Sequence, residues 1–223
     1  MRLAGLMMIH ENSPLGFEEL VIGELARHVD ALFIHANAGA PDSWVKATKS
    51  CPKLARFAEG RVPPGSQNEG PIVLRLLDDA KPEMFIYLDS DEIMPPNVEE
   101  IIDEMDKSGA MCVEFPILFC AGDPDHVITS APSTAHDAST AFCGHGPHVK
   151  LAVWRPGLDR RTTVGCDYPG QDYVGRAWRS PWPIRHLVVA RPRDWRRRYQ
   201  TKPAPWMLDA WPVKPYDPTR KWT

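Results

Sequence analysis

The sequence predicts an α/β fold in which helices cover both faces of a mostly parallel central sheet. The main observation is that continuous apolar runs of strand length alternate with segments whose apolar residues recur at helical spacing. Because these runs are apolar throughout, they are typical of parallel strands buried on both faces. The chain has 223 residues, of which 43% are hydrophobic, and this suffices for one domain with its own core.

The first predicted unit is β-α-β. Residues 3–9 are apolar and precede His10-Glu11-Asn12, which indicates a buried strand that ends in a polar loop. Pro14 opens a predicted helix over 15–28, in which the apolar residues share one side. A second strand is predicted at 31–36, so the first two strands are expected to be parallel neighbours.

The middle of the chain continues this alternation. A polar loop over 37–42 leads to a helical stretch predicted at 42–58, and another helix is predicted at 69–79. That second helix leads to a buried strand at 84–88. The residues of the helix over 69–79 that are expected to face inward are Ile72, Val73, Leu76 and Leu77.

The second half of the chain has a weaker pattern. A helix over 95–107, with prolines in its first turn, precedes a strand over 111–119. Residues 121–149 are then predicted to be a long loop. Residues 202–223 contain five Pro and three Trp, a composition that predicts an extended arm packed by its aromatic side chains.

Charge and cysteine content limit the classes of function. Residues 1–149 carry 10 Lys and Arg against 23 Asp and Glu, whereas 150–223 carry 16 against 6. This charge division is expected of a site where carboxylates of the first part bind a metal ion and arginines of the second part bind phosphate. Attraction between two solvated faces of opposite charge explains it equally well. Five cysteines without a C-x-x-C pair indicate reduced thiols in the cytoplasm. No signal peptide or membrane helix is predicted.

The segment with the strongest chemical signal is Asp89-Ser90-Asp91, directly after the predicted strand at 84–88. In open α/β sheets, ligands bind beyond the carboxyl ends of the strands. Two carboxylates this close repel each other unless a cation joins them, and Mg²⁺ or Mn²⁺ with substrate phosphates is a common solution. A helix N-cap cluster before Pro95 is the alternative interpretation.

The order of several short motifs resembles the family 2 glycosyltransferases of the A-type fold. That family has a first strand ending in an "NE"-like turn, here His10-Glu11-Asn12, and a later strand ending in Asp-x-Asp, here Asp89-Ser90-Asp91. Residues 68–75 are similar to the family's N-x-G-x-x-x-A-R helix, whose Arg, here Arg75, approaches the diphosphate. Residues 37–42 stand where the family has D-x-x-S-x-D, with Asn37 replacing the Asp that commonly meets uracil.

Two later elements extend the resemblance to about residue 200. Residues 169–176 are similar to the family's G-E-D-x-x-x-x-R element, whose Asp, here Asp172, is the catalytic base. Residues 183–187 resemble a strand end whose His, here His186, is a late metal ligand, and an arginine-rich run over 191–198 follows. By itself, His186 is also explained as a core histidine, and Asp172 as a turn residue.

The resemblance implies a Rossmann-like, A-type nucleotide-diphospho-sugar transferase domain over 1–200, followed by an extended arm over 201–223. Within that domain, 1–120 would bind the nucleotide sugar and 121–200 would carry the acceptor side and the late metal ligand. The implied activity is metal-dependent and inverting: a sugar moves from a nucleoside-diphosphate sugar, first of all a UDP-sugar, to a hydroxyl of a saccharide or of a modified DNA base.

The same resemblance implies roles for individual residues. Asp172 is the expected base, with Asp167 and Glu114 as substitutes. The expected metal ligands for Mn²⁺ or Mg²⁺ are Asp89, Asp91 and His186. The expected contacts to the nucleotide sugar are His10, Glu11, Asn37, Asp42, Arg75, Asp89 and Ser90.

Two other function classes remain open from the sequence. A nucleotidyltransferase also uses carboxylates and Mg²⁺ on an α/β sheet, but such enzymes carry a basic phosphate loop after the first strand, and residues 6–16 contain no Lys or Arg. The basic, aromatic region over 150–223 also suits a nucleic-acid-binding module.

Overall fold

The structure, a computed structural model, describes residues 1–61, 72, 75–77, 80–121, 123–128, 149–155, 177–187 and 213–221. Its strands are β1 Leu3–Ile9, β2 Ala31–Asn37, β3 Leu54–Gly60, β4 Met84–Asp89, β5 Glu92–Ile93, β6 Cys112–Ala121, β7 Asp123–Ile128, β8 Val149–Trp154, β9 Ala177–Arg179, β10 Ile184–His186 and β11 Val213–Pro215. Its helices are α1 Glu18–His28, α2 Asp42–Lys49 and α3 Val98–Ser108. The predicted α/β class is confirmed.

The first four long strands form the parallel part of the sheet, in the order β3-β2-β1-β4. Met8 near the end of β1 pairs with His35 on one side and with Asp89 on the other. The loops that follow β1, β2 and β4 therefore leave the sheet at one common edge. This edge, called the carboxyl edge below, is where the sequence predicts a ligand site.

Beyond β4 the sheet becomes largely antiparallel. β8 pairs antiparallel with β4 and with β6, and the order continues from β6 to β7 and β11. β9 and β10 are short strands that each pair in parallel with β6. β10 also pairs antiparallel with β5, which connects the late part of the chain with the segment that follows β4.

Apolar packing on both sheet faces supports these elements. On one face, α1 and α2 pack their buried residues, among them Leu25 and Trp44, against β1 and β2. A Cβ added to Gly5 would lie 2.6 Å from Leu32 Cδ2, so β1 must present glycine where α1 approaches. On the other face, Leu76 packs with strand residues such as Phe85, and partly buried Ile72 and Leu77 join it, as the helical pattern predicts.

The helix ends depend on the backbone preferences of glycine and proline more than on the spacing of apolar residues. α1 begins at Glu18 rather than at residue 15 because Gly16, with φ 79°, takes a left-handed conformation that a helix does not contain. α3 begins at Val98 rather than at residue 95. Pro95 precedes Pro96, and a residue before proline disfavours helical backbone. α3 ends at Ser108, and the following Gly109, with φ 69°, closes the last turn.

Two sequence-based predictions of secondary structure are wrong. The helix predicted at 42–58 ends at Lys49, because Pro52 restricts the backbone before it, and the chain then pairs with β2 as β3. The loop predicted at 121–149 contains β7, whose polar sequence is stabilised by main-chain pairing with β6 and β11. Neither strand has a strong apolar pattern, since pairing within a sheet does not require one.

The predicted arm over 202–223 is described only over 213–221, where residues 213–215 are extended and residues 217–220 form a turn. Residues 213–215 form β11, which pairs with β7 in the sheet. Among the helices of the described ranges, none combines the length and the apolar character needed to cross a membrane.

Candidate functional site

The loops that follow β1 and β4 are joined by a buried pair of serine hydroxyls. Ser13 Oγ and Ser90 Oγ are 2.5 Å apart, and each serine is 2% exposed. Ser13 Oγ also accepts a hydrogen bond of 2.9 Å from the main-chain N–H of His10. The middle residue of Asp89-Ser90-Asp91 is therefore attached to the polar loop that closes β1. The sequence predicts Ser90 at the site but gives no signal for Ser13.

A neighbouring carboxylate holds the backbone of the Asp-x-Asp turn. Glu92 Oε2 accepts a 2.8 Å hydrogen bond from the main-chain N–H of Asp89, and Glu92 is 2% exposed. The Tyr87 hydroxyl donates to Asp89 Oδ1 at 3.1 Å, which orients that side chain. Neither Glu92 nor Tyr87 is among the site residues that the sequence predicts. An acidic residue three positions after the start of a turn is the signal that could have identified Glu92.

The late strand β10 brings His186 to this turn. His186 pairs with Glu92 in the antiparallel register of β10 and β5, and the main-chain N–H of Leu187 donates to the Asp91 carbonyl at 2.7 Å. His186 Nε2 lies 3.9 Å from Asp91 Oδ1, and both side chains are largely buried. Residues almost a hundred positions apart in the sequence thus meet at the carboxyl edge.

The donor atoms at this point, a carboxylate oxygen and an imidazole nitrogen, are of types that bind divalent cations. Two ligands at about 2.1 Å from one Mg²⁺ are about 3.0 Å apart in adjacent octahedral positions and about 4.2 Å apart in opposite ones. The 3.9 Å between His186 Nε2 and Asp91 Oδ1 lies between these values, so the two side chains must adjust to share one ion. Within the described ranges, no group of three or more His, Cys, Asp or Glu side chains is arranged to hold a metal. Substrate phosphates and water commonly complete the coordination of such ions.

Four of the seven residues predicted to contact the nucleotide sugar lie at or just after the ends of β1 and β2: His10, Glu11, Asn37 and Asp42. The loops after these two strands are neighbours, since a Cβ placed on Gly39, with φ 90°, would be 3.5 Å from Glu11 Cβ. Asn37 Oδ1 accepts a 2.9 Å hydrogen bond from the N–H of Ala38. Asp42 is exposed in the first turn of α2. The two loops border the same edge as the Asp-x-Asp turn.

A buried histidine lies just before this loop. His35 is 6% exposed, its Nε2 is 3.3 Å from the Gly60 carbonyl oxygen, and its Nδ1 has no hydrogen-bond partner in the described structure. Burial lowers the pKa of His35, and the positive field of His10 lowers it further, while the Gly60 carbonyl opposes both effects. The neutral imidazole is therefore favoured. His35 is not among the predicted site residues, because a single His in an apolar strand has no distinctive spacing.

For Arg75 and Glu114, two further predicted site residues, the structure gives contacts with residues outside the Asp-x-Asp turn. Arg75 is exposed, and its main-chain oxygen accepts a 3.4 Å hydrogen bond from Arg56 Nη1 of β3. Glu114 is buried on β6, where its Oε1 accepts a 2.6 Å hydrogen bond from Arg179 Nε and lies 2.6 Å from Arg179 Nη2 in an ion pair. That ion pair engages the Glu114 carboxylate. Asp172, Asp167 and the arginines over 191–198 lie outside the described residues.

Two buried cysteines lie on β6 and show no sign of nucleophilic activation. Burial raises the pKa of Cys112 to about 11, and it raises the pKa of Cys120 to about 12. Both thiols are therefore protonated near neutral pH, which disfavours nucleophilic chemistry at these positions.

Comparison with known proteins gives only remote similarities. No protein-family model and no curated protein matches the chain. S. aureus TarS in complex with UDP is 12% identical, and the match covers 70% of this chain and 47% of that chain with a TM-score of 0.42. This chain spans less than half of the TarS chains that it matches.

Two further solved structures match to a similar extent. Mannose-6-phosphate isomerase from Helicobacter pylori is 16% identical, with 70% of this chain and 71% of that chain covered at a TM-score of 0.42. A 4-diphosphocytidyl-2C-methyl-D-erythritol synthase from Anaerococcus prevotii is 10% identical, with 69% and 71% covered at a TM-score of 0.44. With TM-scores below 0.5, these similarities assign no activity to this chain.

Proposed function

We propose that this protein is a metal-dependent, inverting glycosyltransferase that moves a sugar from a nucleoside-diphosphate sugar to an acceptor hydroxyl. The observation that carries the proposal is the meeting of Asp91 and His186, 3.9 Å apart, at the carboxyl edge of a parallel sheet. This edge is the usual ligand position in open α/β sheets. The Asp91 carboxylate and the His186 imidazole supply two ligands of types that divalent cations bind, and Asp89 and the substrate diphosphate would complete the coordination of a cation there.

On the donor side, the protein must stabilise a departing diphosphate. Negative charge grows on that group as the sugar gains oxocarbenium character. When bound, Mn²⁺ or Mg²⁺ supplies Lewis-acid stabilisation of this charge. Asp91 and His186 would hold the cation, and Asp89 would lie beside it with its backbone held by Glu92. Arg75 and the late arginines are proposed to add charge-assisted contacts to phosphate.

On the nucleotide side, the loops after β1 and β2 would receive the nucleoside. His10, Glu11 and Asn37 offer hydrogen-bond donors and acceptors along that part of the edge, and Asp42 stands at the start of the following helix. UDP is the first nucleotide to test. Asn37, an amide in place of the family's Asp, changes which hydrogen bonds a base would find here.

On the acceptor side, inversion requires a base on the opposite face of the sugar. Asp172 is the proposed base, and Asp167 is the proposed substitute. Glu114 is less suited because Arg179 engages its carboxylate in an ion pair with one hydrogen bond of 2.6 Å. The acceptor would be a saccharide or a modified base in DNA.

Calorimetric titration of nucleoside diphosphates, with and without Mn²⁺, tests the donor site. Wild-type protein is expected to bind one diphosphate only when Mn²⁺ is present, and Asp91→Asn is expected to lose that binding. Asp103→Asn is the matched control, since Asp103 is an exposed carboxylate on α3. Failure of every nucleoside diphosphate to bind with any divalent ion would overturn the proposal.

The products distinguish glycosyl transfer from the alternatives. Release of a nucleoside diphosphate from a nucleotide sugar in the presence of an acceptor supports the proposal. Release of pyrophosphate from a nucleoside triphosphate and a sugar phosphate would identify a nucleotidyltransferase instead. Salt-dependent DNA binding without any sugar-nucleotide binding would identify a nucleic-acid-binding module.

A further inference from the structure

We propose that the C-terminal strap, defined as residues 213–221, positions the late site strand β10 through contacts of Arg185 with Tyr216. This inference rests on the proposed function, because it explains how His186 is held at the Asp-x-Asp turn. Neither Arg185 nor Tyr216 is expected to touch substrate. Both are positioning residues that act through the strand that carries His186.

Arg185 and His186 are consecutive residues of β10, and their side chains lie on opposite faces of the strand. Successive side chains of a strand alternate between its faces. His186 reaches toward Asp91, while Arg185 reaches toward the β6–β7 connection and donates from Nη1 to the Pro124 carbonyl at 2.9 Å. A displacement of Arg185 would therefore move the backbone that carries His186.

The strap covers the Arg185 side chain. The Arg185 guanidinium lies 4.5 Å from the centroid of the Tyr216 ring, a distance that allows a cation–π interaction. The Arg185 side chain is only 12% exposed, and its ion pair with Asp125 is long, at 3.6 Å. A buried guanidinium needs partners, and the Tyr216 ring is one of them. Removing that ring would leave the charge poorly compensated.

The strap is itself fixed to the strand next to β6. β11 pairs antiparallel with β7, with Lys214 opposite Val127, and the main-chain N–H of Tyr216 donates to the Asp125 carbonyl at 2.7 Å. Further along the strap, the Lys221 ammonium lies 4.9 Å from the ring centroid of buried Trp182, just before β10. The strap thus contacts the late segment at two points, at Arg185 on β10 and at Trp182 just before it.

The Tyr216 hydroxyl provides a matched control. Within the described structure, this buried hydroxyl has no hydrogen-bond partner, and burial raises its pKa. Tyr216→Phe removes only this unpaired oxygen and keeps the ring over Arg185. Tyr216→Ala removes the ring. Arg185→Lys keeps the positive charge but loses the planar group that stacks on an aromatic ring.

Hydrogen exchange tests the positioning without any ligand. The Leu187 N–H, which donates to the Asp91 carbonyl, is expected to exchange faster in Tyr216→Ala and in Arg185→Lys than in wild type or Tyr216→Phe. The N–H of Leu32, in the parallel part of the sheet, is the internal reference and is expected to be unchanged. Equal protection of Leu187 in all four proteins would overturn the inference.

Calorimetry with MnCl₂ and UDP tests the consequence for the site. The Mn²⁺-dependent affinity for UDP is expected to fall by about tenfold or more in Tyr216→Ala and Arg185→Lys, and to be retained in Tyr216→Phe. Faster Leu187 exchange with unchanged Mn²⁺-dependent affinity would overturn the inference and leave a purely structural strap. If wild type binds no diphosphate, the proposed function fails, and the exchange comparison alone decides whether the strap positions β10.

Discussion

Ser13 Oγ and Ser90 Oγ lie 2.5 Å apart in a buried contact between loops that are 77 residues apart in the sequence. One hydroxyl must donate to the other, and Ser13 Oγ additionally accepts the His10 N–H. The contact links the end of β1 to the Asp-x-Asp turn after β4. It therefore fixes the spacing between the proposed nucleotide loop and the proposed metal ligands.

Ser90→Ala is expected to lower the free energy of unfolding by about 1–3 kcal/mol, because it leaves the buried Ser13 hydroxyl with one partner fewer. Ser13→Ala is expected to cost more, since it also removes the acceptor of the His10 N–H. Urea denaturation of both single variants and the double variant measures these effects. The double variant should cost less than the sum of the singles, and strict additivity would contradict a direct interaction.

Two substitutions of Glu92 distinguish its role as a hydrogen-bond acceptor from the effect of its negative charge. Glu92→Ala removes the acceptor of the Asp89 N–H and is expected to lower the free energy of unfolding by about 1.5–3 kcal/mol. Glu92→Gln keeps an oxygen acceptor and is expected to retain more than half of that stability. Denaturant unfolding compares the two variants. A Glu92→Gln protein as unstable as Glu92→Ala would show that the negative charge, rather than the hydrogen bond, is required.

Asp172→Asn tests the proposed base independently of the donor site. The variant is expected to reduce turnover by about 10²–10⁴-fold, since an amide cannot accept the proton of the acceptor hydroxyl. Mn²⁺-dependent affinity for the diphosphate should be unchanged, because a base acts on the acceptor. Steady-state kinetics and calorimetry give the two quantities. Weakened diphosphate binding with normal turnover would move Asp172 to the nucleotide side.

The parallel half of the fold was predictable from sequence because burial on both faces leaves an unmistakable pattern. The run that became β1 and the run that became β4 are continuously apolar, and their pairing follows from the β-α-β alternation. β3 and β7 were missed because their stability comes from main-chain pairing at or near a sheet edge. Pro52 was the local signal that the helix after Asp42 had to end early.

The candidate site was predictable only in part. Asp89-Ser90-Asp91 was identified because a strand followed by spaced carboxylates is a local pattern. Ser13 and Tyr216 were not identified, because their contacts join segments that are distant in the sequence. No local spacing distinguishes such residues from ordinary loop or arm residues, so only the folded arrangement identifies them.

Two histidines, buried His35 and partly buried His28, predict the pH dependence of stability. Burial is the main cause that lowers the pKa of both His35 and His28 below the ordinary value of 6.5. The unfolded chain therefore binds protons that the folded chain does not, over a pH range that begins near 6.5 and extends downward. The stabilisation from the neutral imidazoles is complete above that range and is lost as the pH falls through the folded pKa values.

We therefore expect the free energy of unfolding to fall between about pH 7 and about pH 5, and the fall to be shallower in His35→Gln. Gln can still donate to the Gly60 carbonyl, which His35 Nε2 approaches at 3.3 Å, but it does not titrate. Urea unfolding at a series of pH values, with His126→Gln as a control at a half-exposed histidine, measures the slopes. Identical slopes in wild type and His35→Gln would show that His35 has the same pKa in the folded and unfolded chains. The slope would then arise from His28 and the carboxylates, and the orphaned Nδ1 of His35 would have no electrostatic consequence for folding.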